Sequence, residues 1–176
     1  MKKLIAIILV LIIIPVTYAG YVLMERERTV SQHVALNINE DMSELYKCIN
    51  RINGDFINQA SMVREYVTLE VIVERLKSEI DTLLIMHPQL KLELKQIISN
   101  YVQLVDKRIY GIDRHRAMEL MNEINKYICL YCESGIYSME GSYETILLRD
   151  EYLKKQISEI GYDKYRNMNM DIISLK

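Results

Sequence analysis

Residues 62–83 read MVREYVTLEVIVERLKSEIDTL, and in them Met62, Tyr66, Leu69, Val73, Leu76, Ile80 and Leu83 recur at alternating steps of four and three. Such steps lay one apolar stripe along an α-helix facing a partner helix, and the period of two that marks a strand does not accommodate them. Upstream, Val34, Ile38, Met42, Leu45, Ile49, Ile52 and Phe56 form a second stripe, out of phase with the first by one residue near Asn53-Gly54-Asp55. That tripeptide is a turn signal. It can equally be a slip inside one helix, at a cost of about 1 kcal/mol for the glycine. Because the stripe resumes with no polar loop between, the favoured reading is one long helix reaching His87, and the alternative is four helices in an up-down-up-down bundle.

His87-Pro88 is a firmer boundary, since a proline pushes the residue before it out of helical geometry and itself suits the first turn of a new helix. The next helix carries Leu90, Leu94, Ile97, Tyr101 and Leu104, slips phase near Gly111, resumes with Ala117, Met121, Ile124, Ile128 and Tyr131, and ends at Ser134-Gly135. After a glycine-containing loop to Ser142, a shorter helix carries Ile146, Leu153, Ile157 and Ile160 and stops at Gly161. The last fifteen residues show no sustained period and are expected to be loosely ordered. With two prolines, six glycines and no tryptophan in 176 residues, the composition is helical material as well.

The N-terminus sets placement. Lys2-Lys3 precede an uncharged, almost wholly aliphatic run that continues to Met24 and is closed by Glu25-Arg26-Glu27-Arg28. Residues 4–24 are 21 residues, enough to cross about 30 Å of hydrocarbon at about 1.5 Å per residue. A cleaved signal is the competing reading, with Pro15 breaking the helix and Thr17-Tyr18-Ala19 offering small residues at the cleavage positions. The apolar Tyr21-Val22-Leu23-Met24 beyond that site favours an uncleaved anchor. Lysines before the run and a neutral flank after it keep the N-terminus cytoplasmic and export the rest. The chain is thus expected to be all-α: a membrane helix or signal segment (1–24), an exported coiled-coil-like antiparallel hairpin or bundle of three to four helices (25–161), and a tail (162–176). A lipoprotein is excluded because the first cysteine is Cys48.

Beyond the anchor the chain has 24 acidic side chains against 20 basic, which disfavours nucleic acid as a partner. In an exported domain Cys48, Cys129 and Cys132 are candidates for a disulfide. One long hairpin turning at His87-Pro88-Gln89 would put Cys48 beside Cys129, whereas four helices would put it level with residues near 60. Cys129-Leu-Tyr-Cys132 has redox spacing, yet it sits at the C-terminal end of a helix, where the dipole opposes a thiolate. His33, His87 and His115 share no metal-ligand spacing, and Met168-x-Met170 is read as core filling ahead of a soft-metal site. Tyr101, Tyr127, Tyr131, Tyr143, Tyr152 and Tyr162 are read as rim residues, rings packed and hydroxyls wet. The residues present no catalytic, cofactor or metal signature, so no cofactor is expected.

An anchored exported helical bundle resembles the four-helix sensor module of bacterial chemoreceptors and sensor kinases, in architecture and not in any motif. The resemblance implies ligand sensing, but nothing after residue 25 could return through the membrane, so a sensor would have to signal through a partner. The function expected first is therefore a non-enzymatic, membrane-anchored interaction protein of the cell envelope that docks envelope proteins, with a second copy of itself as a further candidate partner. The alternatives are the ligand sensor and a secreted or periplasmic helical protein released after Ala19.

Overall fold

A computed structural model describes residues 2–53, 59–110, 114–134 and 143–175, with side chains described apart from those of 2–12, 53, 59–63, 107–110 and 114. Among the described residues there are six helices and no strand: α1 (Lys2–Asn53), α2 (Gln59–Met86), α3 (Glu93–Tyr110), α4 (Arg114–Cys132), α5 (Tyr143–Ile160) and α6 (Tyr162–Ser174). The all-α class expected from the stripes holds, as a bundle with more helices than three or four. No helix among the described residues is long and apolar enough to cross a membrane. The expected anchor at residues 4–24 falls partly outside them, because the side chains of residues 4–12 are not described.

The long helix to His87 is not what forms. α1 ends at Asn53, and α2 starts at Gln59 and runs back along it, so the Asn53-Gly54 signal marks a helix end; residues 54–58 lie outside the described residues. Cross-pairs fix the antiparallel register. Arg51 meets Glu65 at 3.0 Å, Arg75 pairs with Asp41, and Ser31 meets His87 at 2.8 Å. The physical reason lies in the one-residue phase slip. A continuous helix would turn the two stripes to different sides, whereas folding back buries Ile38, Met42, Leu45 and Ile49 against Leu69, Val73, Leu76, Ile80 and Leu83 in one core.

The slip near Gly111 is likewise a boundary between α3 and α4, with residues 111–113 outside the described residues. α2 stops at Met86, as His87-Pro88 requires, but α3 begins only at Glu93, because Pro88 is spent in a turn closed by the Leu90 N–H donating to the His87 carbonyl at 3.0 Å. α5 packs on α1, α3, α4 and α6 and closes the bundle. The C-terminal residues correct the expectation of a loose tail: α6 buries Tyr165, Met168 and Ile172 in the common core.

Gly161 stops α5, as the sequence suggests, and does so with φ +116°, a conformation that L side chains rarely adopt. The space around it is open, so a substitution meets backbone strain and no clash. Gly161→Ala is expected to lower stability by about 1–2 kcal/mol in urea unfolding, and an unchanged midpoint would mean that the α5–α6 corner relaxes without cost.

Candidate functional site

The first part of α1, from Ile13 to Met24, carries a run of exposed apolar side chains. Every described side chain from residue 13 to residue 30 is exposed, with Tyr18 at 69% and Met24 at 72%, and Ser31 is the first buried one among the described residues. The helix runs through Pro15 without a break, and just past it the Thr17 hydroxyl donates to the carbonyls of Ile13 and Ile14 at 2.8 and 2.9 Å. This segment is an arm that makes no use of the bundle core.

Where the arm joins the bundle, three elements meet. The buried Ser31 hydroxyl lies 2.8 Å from His87 Nε2, and the His87 ring packs on Tyr143 with centroids 4.8 Å apart. A hydroxyl and an imidazole at this spacing form the first half of a nucleophilic site. Ser31, however, is buried on the packed side of α1. The pair serves as a tie between α1, the end of α2 and the start of α5.

Farther along the α1–α2 seam, Asp41 is buried and held by Arg75, which also reaches Glu44 at 3.1 Å. One guanidinium therefore answers two carboxylates. A third, Glu79, has a buried Oε2 with no hydrogen-bond partner among the described residues. Burial, and after it the nearby Asp41 charge, push the Glu79 carboxyl up to about 7. The folded state thus holds the Glu79 proton more tightly than the unfolded chain does. The stability from this group is full below the ordinary carboxyl range and is lost as pH rises through about 7. Discounted for its partial exposure, the loss is expected to be about 1–2 kcal/mol between acid and neutral pH. Urea unfolding of Glu79→Gln should lack that slope, and equal slopes in both proteins would show that the seam does not titrate.

Cys48, Cys129 and Cys132, the candidates for a disulfide, are unbridged in this structure. Cys48 is level with Glu65 of α2, at 3.5 Å from its carbonyl, which is the register expected of separate helices and not of the long hairpin. Cys132 donates to the Met42 carbonyl at 3.6 Å, so these two thiols are engaged with different partners. Burial pushes the Cys132 thiol up to about 12 and, with the help of Glu65, Cys48 up to about 11; burial also raises Cys129. Thiols held this far from ionising are poor nucleophiles.

The histidines are dispersed. His33 is exposed, His87 sits in the tie, and His115 lies exposed on α4 beside Glu119 at 3.4 Å. Met168 is in the core while Met170 is exposed, so the Met-x-Met pair does not converge on one point. Among the described residues no group of three or more His, Cys, Asp or Glu is placed to hold a metal ion. The rim reading of the tyrosines is corrected for Tyr101, Tyr127 and Tyr131, which are buried, and burial raises the phenols of Tyr127 and Tyr131. Tyr143 and Tyr152 are half-buried, and Tyr162 is exposed.

Sequence reasoning missed the polar joints. Ser31–His87 and the carboxylate of Asp150, which takes the N–H groups of Glu93 and Leu94 at 3.2 and 2.9 Å, link residues more than fifty positions apart. A polar groove between α2 and α3 is lined by Glu70, Glu74, Lys77, Gln103 and Asp106. No family model, no curated protein and no solved structure matches the chain.

Proposed function

We propose that the chain is a single-pass membrane-anchored interaction protein of the cell envelope, in which residues 4–24 hold a helical bundle at the outer side of the membrane for docking protein partners. The observation that carries this reading is the arm: large apolar side chains exposed from Ile13 to Met24 on one unbroken helix that the bundle does not cover. A contiguous apolar surface of this extent calls for a lipid or protein environment. The sequence of the arm, with Lys2-Lys3 before it and an aliphatic run between, suits lipid. Action by contact, without catalysis, is supported by thiols pushed toward their neutral form and by a half-buried serine–histidine pair that ties three elements together.

Fractionation of the natively expressed protein with intact-mass measurement tests the reading. A full-length species in the membrane fraction is expected. A soluble species beginning at Gly20 would overturn the anchor and put the secreted alternative first.

A second reading, a ligand-sensing domain that signals through a partner, draws on the α2–α3 groove, whose carboxylates and Lys77 could recognise a small polar molecule. Under that reading some member of a metabolite panel raises the thermal midpoint, because a ligand of the native state must stabilise it. No shift with any compound favours protein docking.

A further inference from the structure

We infer that the bundle rests directly on the bilayer, with the turn at residues 87–92 and the start of α5 lying against phospholipid headgroups; this rests on the anchored reading above. α1 is continuous from the apolar run into the core, so the height of any bundle residue above the membrane follows from helical rise. From Met24, the last apolar residue of the run, to Ser31, the first buried one, is seven residues, or about 10 Å. The headgroup layer of one leaflet is itself about 5–8 Å deep. Ser31 therefore sits within a few ångströms of the outer headgroup surface, with no spacer between membrane and core.

The Ser31–His87 contact of 2.8 Å brings the end of α2 to the same height. The chain then turns through the exposed Pro88, Gln89 and Lys91 before α3 starts. Tyr143, packed on the His87 ring at 4.8 Å, brings the start of α5 there too.

The chemistry of this end suits lipid phosphates. Lys91 is exposed at the turn, and its carbonyl accepts from the ammonium of Lys154, which lies farther along α5, at 2.7 Å. Lys154 is partly answered by Asp150 at 2.9 Å, and Glu144 is an exposed acid on the first turn of α5. Lysines close to an anionic surface are attracted to it. Amphipathic stems such as these lie along an interface while the charge stays wet.

The test uses the full-length chain in vesicles of phosphatidylcholine and phosphatidylglycerol, with a fluorescent amino acid placed singly at Gln89, at Asn50 near the far end of α1, or at Val16 in the arm. Headgroup-nitroxide lipid is expected to quench Gln89 several-fold more than Asn50, aqueous iodide to do the reverse, and mid-chain nitroxide lipid to quench Val16. A second probe at Lys91 should behave as that at Gln89. If iodide reaches Gln89 and Lys91 as freely as Asn50 while Val16 is quenched from the lipid, the resting surface is wrong and the anchor stands. Shielding of Gln89 from iodide without headgroup quenching would mean that protein covers the turn, which also overturns the inference. If mid-chain lipid fails to quench Val16, the anchored reading falls and this inference falls with it.

Discussion

Asp150→Ala is expected to lower the stability of the bundle by about 3 kcal/mol, the largest loss foreseen for any single exposed or polar position. Asp150 is almost completely buried on α5 yet serves α3: its Oδ2 and Oδ1 accept the N–H groups of Glu93 and Leu94 at 3.2 and 2.9 Å. These are the first two amides of α3 and have no partner within their own helix. The carboxylate also sits at the positive end of the α3 dipole and takes Lys154 at 2.9 Å, so the buried charge is matched from two sides. Removing it uncaps a helix end that is already out of reach of water, which costs more than losing a surface cap. Asp150→Asn keeps one acceptor and should lose about half as much. Urea unfolding with tryptophan-free far-UV circular dichroism measures both. A loss under about 1 kcal/mol for the alanine variant would mean that water reaches the α3 terminus and replaces the cap.

Nothing in the sequence around Asp150 marks it as the cap of α3. Apolar stripes report which face of a helix is buried, so the residues of α1 and α2 that form the core were legible in advance, as were the stops at His87-Pro88 and Gly161. A stripe does not report which partner covers it. The slips at Asn53-Gly54 and Gly111 were therefore compatible with either a bent helix or a fold-back, and only the packing of Ile38–Ile80 side chains on each other distinguishes the two. α6 was missed because Tyr165, Met168 and Ile172 make a stripe of barely two turns among Asn, Asp and Lys. A helix that short draws its stability from tertiary contacts, which no local period reveals. The joints Ser31–His87, Asp41–Arg75 and Asp150–α3 depend on residues between thirty and sixty positions apart, and nothing local marks a serine or an aspartate as one half of such a pair.

Ile14→Arg is expected to weaken association of the full-length chain with vesicles by roughly a hundredfold while leaving the bundle's unfolding unchanged. Ile14 lies at the middle of the run from residue 4 to residue 24, where an arginine costs about 3 kcal/mol on insertion scales, and each 1.4 kcal/mol is tenfold. The same side chain is 61% exposed and well before Ser31, where burial in the bundle begins, so the core has no stake in it. The two readouts therefore separate. Vesicle flotation should collapse for Ile14→Arg and persist for the control Ile14→Leu, while urea midpoints of all three proteins coincide. Flotation that survives the arginine would show that the arm does not sit in hydrocarbon, and the exposed surface from Ile13 to Met24 would then need a protein to cover it. A shifted urea midpoint would show instead that the arm packs on the bundle, contrary to its exposure. The outcome decides between lipid and protein as the environment of the arm, because a charge at the centre of a bilayer is penalised on every side of the helix, whereas a protein groove would penalise it only on the face it holds.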